Sequence, residues 1–234
     1  MGILLFFRVM ANFNTHLSVA IAASAGAALT ATQFNIIPIV EAPWMVAFGT
    51  IGGLLPDIDS PNSKPVKLLF TALGVISLLM VVNIFQNHFP AYIVLALAAA
   101  MYFIVRYGIS RLFDKFTVHR GIFHSILTAV FFGLLMICIG CYLLHWDTVH
   151  SWLSGLFITF GFIVHLTLDE VYSVDLSNKR LKKSFGTALK LFSYDNLLTS
   201  GLMAAVTIAL IIITPQPQPV FKILMANSQQ TKTK

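Results

Sequence analysis

Seven apolar runs, separated by short polar connections, leave this chain few folds to choose from. They cover 17–34, 43–55, 68–85, 91–105, 122–144, 152–168 and 197–213. Only helices and closed barrels satisfy their backbone hydrogen bonds inside hydrocarbon, and a crossing helix needs about 20 apolar residues. Most of the runs approach that length and none alternates as a barrel strand does. The expected fold is therefore all-α: a polytopic transmembrane bundle forming one domain over 1–214. The second run is short and holds Gly49, Gly52 and Gly53, so it is either tilted and buried by its neighbours or only partly inserted. The first is rich in Ala, Ser and Gly, small residues that let membrane helices approach closely.

Composition excludes the alternatives to a membrane protein. The chain is 57% hydrophobic and 10% charged, with a mean hydropathy of +0.83, which leaves no soluble domain. A net charge of +6 would suggest nucleic acid in a soluble protein; here it belongs to basic loops, and no direct nucleic-acid partner is expected. Cys138 and Cys141 form a C-x-x-C inside an apolar run and read as small core hydrophobes rather than a redox pair. The opening residues 1–10 make too short an apolar run for a signal peptide, and Met10 is a second candidate start. Pro215, Pro217 and Pro219 are expected to stop any helix, followed by a polar, disordered tail to 234.

Loop charge gives the expected orientation. Lys64 and Lys67 follow the second run, and Arg106, Arg111, Lys115 and Arg120 separate the fourth from the fifth. Lys179, Arg180, Lys182, Lys183 and Lys190 separate the sixth from the seventh, whereas 35–42, 86–90 and 145–151 contain no Lys or Arg. Positive loops stay in the cytoplasm, so the N-terminus is expected inside and the C-terminus outside.

This topology gathers ionisable residues at one depth. His16 precedes the first run, Asp57 and Asp59 end the second, His119 and His124 open the fifth, and His165 and Asp169 close the sixth. His119 and His124 are five apart and off one helical face, so His119 belongs to the entering loop and His124 to the first turns of the helix. His165 and Asp169, at i,i+4, share a face. Ionisable groups at a membrane face are costly unless paired or metal-bound. His16, Asp57, His119, His124, His165 and Asp169 are thus the candidate metal ligands, with His119 either a ligand or a group orienting one. Asp57 and Asp59 after a proline can also form an ordinary capped turn. Arg120 can hold a phosphate or simply add to the inside-positive charge. His145, Asp147 and His150, at the opposite face with Trp146, read as interfacial anchoring.

The motifs Thr15-His16, G-x-x-x-x-x-L-P-D-I-D-S-P over 49–61, H-R-G-x-x-H-S over 119–125, and H-x-x-x-D over 165–169 together resemble the YdjM-like family. These are bacterial inner-membrane proteins described as metal-dependent hydrolases, the prototype being controlled by the LexA repressor. The resemblance implies an inner-membrane location, a bound metal and a link to the DNA-damage response. The order His, Asp, His, H-x-x-x-D is also similar, more loosely, to the helical zinc-dependent phospholipase C and nuclease group.

The expected activity is metal-dependent hydrolysis of an ester or phosphoester at the cytoplasmic face. One or two zinc-type ions would serve it, Asp59 or Glu170 would shuttle the proton, and Arg120 would bind substrate. Membrane lipids, or another amphipathic molecule entering from the leaflet, are the expected partners. The rival expectation is a transporter or a cation- or proton-sensing regulator built on the same His/Asp cluster.

Overall fold

The structure, a computed structural model, describes residues 13–59, 64–112, 123–175, 180–181, 190–191 and 197–230. Among the described residues six helices are long and apolar enough to cross a membrane, and Leu197–Ile213 is a shorter apolar helix. In chain order the α-helices of the described residues are α1 (Phe13–Gln33), α2 (Ala42–Leu54), α3 (Lys64–Phe85), α4 (Ala91–Phe103), α5 (Ile126–Cys138), α6 (Thr148–Ser173), α7 (Leu197–Ile213) and α8 (Gln218–Gln230). A two-residue antiparallel pair joins Val174–Asp175 to Arg180–Leu181. The expected polytopic helical fold is present.

Several boundaries differ from the sequence expectation. Tight 3-10 turns at Ile39–Glu41 and Leu55–Asp59 prolong α2 at both ends, so the short second run becomes a 20-residue apolar stretch, Ile39–Ile58. α5 starts at Ile126 rather than at 122, and Ser125, in extended backbone, accepts from the Thr128 amide at 3.3 Å as its N-cap. The prolines at 215–219 end one helix without preventing another. α8 begins at Gln218 with Pro219 in its first turn, where a missing N–H costs nothing, and runs through Asn227 to Gln230 where a disordered tail was expected.

The chain divides into two compact units, one of 1–56 with 124–234 and the other of 57–123. The second is the α3–α4 hairpin, whose Gly74 lies against the Tyr102 ring. Its outward residues are apolar, with Leu68, Leu79, Tyr92 and Leu95 all more than half exposed. Such a surface suits hydrocarbon rather than water.

The first unit is built on a seam of small residues. A Cβ on Gly52 would run into the carbonyl of Ile158, one on Gly53 would meet the Ala20 methyl, and one on Gly49 would meet Ser24. α2 therefore lies backbone-close to both α1 and α6. Gly133 and Gly155 play the same part between α5 and α6, where the Thr159 hydroxyl donates to the Ala129 carbonyl across the gap at 3.3 Å. On α1 the buried face is His16, Ala20, Ser24 and Ala28, a strict i,i+4 row. Above the small residues a core of Ala28, Ile37, Met45, Leu153 and Phe157 closes the unit.

Candidate metal centre

The same i,i+4 row that packs α1 fixes the direction of His16. Ala20 is short enough to let α2 and α6 come near, and His16, one turn earlier, is carried into the space between helices at 5% exposure. α1 already includes residues 13–16, so His16 sits in its first turn rather than ahead of it. His165 is the matching residue of α6, at 2% exposure, and its ring stacks on His16 with centroids 3.9 Å apart. His124 stands just outside α5, held at that height by the Ser125 cap, and meets His165 edge-on at 6.0 Å.

These three imidazoles converge on one carboxylate. Asp169 Oδ1 lies 3.3 Å from His16 Nε2, while its Oδ2 lies 3.5 Å from His165 Nε2 and 3.7 Å from His124 Nε2. One donor atom each from His16, His165 and Asp169 falls within 4.8 Å of the others. Tetrahedral donors about 2.1 Å from a common ion stand about 3.4 Å from one another. The observed separations fit that figure with little movement. The imidazole side chains are 4%, 11% and 0% exposed and Asp169 is 31% exposed, so the cluster is walled by histidine and open on the carboxylate side.

The tautomer of His165 sharpens the fit. Its Nδ1 lies 2.7 Å from the Gly53 carbonyl oxygen, which can only accept, so Nδ1 carries the proton. The neutral ring then turns an Nε2 lone pair toward a carboxylate oxygen. Two electron-rich atoms 3.5 Å apart, one of them fully buried, call for a balancing cation: a metal ion or a second proton. A metal-ligating histidine commonly donates its other N–H to a carbonyl in this way, which fixes ring and tautomer together. His16 lacks that support. Its Nδ1 is buried with no hydrogen-bond partner among the described residues, so the ring is restrained by stacking on His165 and by Asp169 at its Nε2.

Asp57 opens the second unit, half-buried in the Leu55–Asp59 turn that continues α2 beyond Gly53, and Asp59 ends that turn. Glu170 follows Asp169 on α6 and is half-buried. His119 and Arg120 lie outside the described residues. The sequence reading overlooked the Gly53 carbonyl, although the Gly49, Gly52, Gly53 spacing signals a backbone brought close to something. It also overlooked Ser125 as a cap, readable as a serine ahead of an apolar run.

At the opposite end of the first unit, His150 Nδ1 pairs with Glu41 Oε2 at 3.2 Å and its ring meets Trp146 edge-on. Asp147 accepts from the His150 amide at 3.0 Å as a cap of α6. These contacts tie the start of α6 to the turn before α2. Cys138 and Cys141 are free thiols.

The model of the YdjM inner membrane protein family matches residues 10–225. The chain belongs to that family. The match extends past the four motifs, which end at Asp169, to take in α7 and part of α8. No curated protein and no solved structure matches the chain. Family membership makes it an inner membrane protein, and the His/Asp group able to hold a metal is built from the family-like motifs.

Proposed function

We propose that this YdjM-family protein is a membrane-bound, zinc-dependent hydrolase of ester or phosphoester bonds in an amphipathic substrate, working at the cytoplasmic face. One observation carries the reading: three imidazole Nε2 atoms surround a single carboxylate that is open on one side. Nitrogen and oxygen donors in that ratio suit zinc, and an open side is what separates a reactive site from a closed structural one. His16, His124, His165 and Asp169 would hold the ion, joined by Asp57 on the strength of the L-P-D-I-D-S-P motif. A zinc-type ion supplies Lewis acidity and makes water a nucleophile at neutral pH.

The protein's own groups do the rest. The Gly53 carbonyl holds the ring of His165, and the glycine seam keeps that carbonyl in place. Asp59 or Glu170 takes the proton from water and returns it to the leaving oxygen. The water oxygen bonds to the acyl carbon or phosphorus, the bond to the leaving oxygen breaks, and the released alcohol carries the proton. The cytoplasmic placement rests on the basic loops.

Metal analysis of the purified full-length protein, followed by phosphoester and ester turnover, tests the reading. Asp57→Asn should lose metal and turnover together, while Asp59→Asn should keep the metal and lose turnover. A wild type that holds zinc but cleaves no ester or phosphoester would point instead to transport or sensing.

A further inference from the structure

The first unit contains a cleft that the metal centre does not use. It measures about 480 Å³ and is walled by Ile126 and Leu127 of α5, by Leu191, and by Leu197, Gly201 and Ala204 of α7, with Ser200 completing the lining. That volume falls within the roughly 300–1,000 Å³ range of small-ligand sites. Its backbone is already satisfied. The amides of Ile126 and Leu127, open donors at most helix starts, bond the carbonyls of Lys190 and Leu191 at 3.0 Å each. The α5 wall thus gives a polar ligand no amide to bind, and an apolar one meets no cost there.

Two further observations identify the occupant. α7 turns Leu197, Leu198 and Leu202 outward at 69%, 74% and 59% exposure, so the cleft opens from a face suited to hydrocarbon. Its α5 wall also begins two residues after His124, whose Nε2 faces Asp169. The lining and the candidate ligands thus adjoin one another at the start of α5. Lys190, whose carbonyl accepts from the Ile126 amide, adjoins Leu191 of the lining and brings to this end of α5 a cation that suits an anionic headgroup.

We infer that the cleft seats an acyl chain of an anionic phospholipid from the surrounding bilayer and presents its ester or phosphoester to the His/Asp cluster. The seat stands on the cleft itself; the presentation for cleavage rests on the hydrolase reading and names its substrate class.

The test uses full-length protein in vesicles of phosphatidylglycerol containing a fraction labelled with a photoactivatable group in one acyl chain. Adducts should concentrate on the peptides containing Ile126, Leu127 and 197–204. A Cβ on Gly201 meets no atom within 4 Å, so Gly201→Phe can enter the cleft without disturbing its walls. That variant and Ala204→Phe should lower the adducts about tenfold, equivalent to excluding about two methylene groups. Unchanged metal content serves as the control for folding.

Equal labelling in wild type and both filled variants would overturn the inference, as would adducts spread evenly over α3 and α4 or crosslinks to a second copy of the chain. Phospholipid turnover in the same vesicles separates the two readings. Cleft adducts without turnover uphold the seat and remove the hydrolase; turnover without cleft adducts removes the seat alone.

Discussion

Gly52→Ala puts the glycine seam to a quantitative test. Alanine favours a helix over glycine by about 1 kcal/mol, so propensity alone would make the variant more stable. Against that, the new methyl would collide with the Ile158 carbonyl on α6. The obstacle is backbone and cannot rotate aside, so α2 and α6 must separate, and overpacking of this kind costs about 1–3 kcal/mol. Taking the upper end, the net loss is about 2 kcal/mol, or about 30-fold in the folding equilibrium. Separation would also carry the Gly53 carbonyl away from His165 Nδ1, now 2.7 Å distant. Loss of such an orienting bond lowers metal affinity by about 10–100-fold. Gly26→Ala is the control, since a Cβ there meets nothing within 4 Å and only the propensity gain of up to about 1 kcal/mol remains. Thermal unfolding in detergent and a zinc titration read both quantities. A Gly52→Ala protein that gains stability as Gly26→Ala does, with unchanged zinc affinity, would refute the close packing and its link to the centre.

Other outcomes follow from the same geometry. His165→Ala and His124→Ala should strip most of the bound metal, whereas His88→Ala and His145→Ala should leave it, as elemental analysis of the four variants will show. Asp169→Asn, which keeps the shape but removes the charge all three imidazoles face, should lower zinc affinity by about 100-fold or more, above the usual loss for an orienting group. Zinc affinity should fall steadily as pH is lowered, because imidazole binds metal only when neutral and protons compete for it. A titration flat from pH 8 to about 5 would remove histidine from the ligand set. Cysteines placed at Ser63, Lys115 and Asn178 should all label from the cytoplasmic side; labelling of one from outside would break the charge-based orientation.

Sequence showed most of the architecture because hydrocarbon forces it: an apolar run of the right length has hardly any state but a helix. The pairing of His165 with Asp169 was legible for a similar reason, since four residues bring a helix back to one face. Other features depend on partners distant in sequence. Nothing local to Gly53 says that its carbonyl receives a histidine proton 112 residues away. The true start of α5 was hidden because Ile122 and Phe123 are as apolar as the helix they precede, and only the extended backbone of Ser125 marks the boundary. α8 was missed because proline was read as a stop, whereas a proline in the first turn of a helix is well tolerated.

The candidate ligands come from the two ends of the first unit, and this bears on biosynthesis. α1 and α2 can dock through Ala20, Ser24 and their facing glycines as soon as both have left the ribosome. His16, however, precedes His165 by 149 residues. At about 5–20 residues per second, it waits roughly 8–30 s for its stacking partner. During that interval α3 and α4 enter the bilayer, and the early pair is held by packing alone. A metal held by this group would then be captured in the closing moments of insertion, when α6 slides in beside the waiting glycines. If that metal is the zinc proposed above, a cell short of it would accumulate chains that are fully inserted and correctly threaded, yet slow to lock.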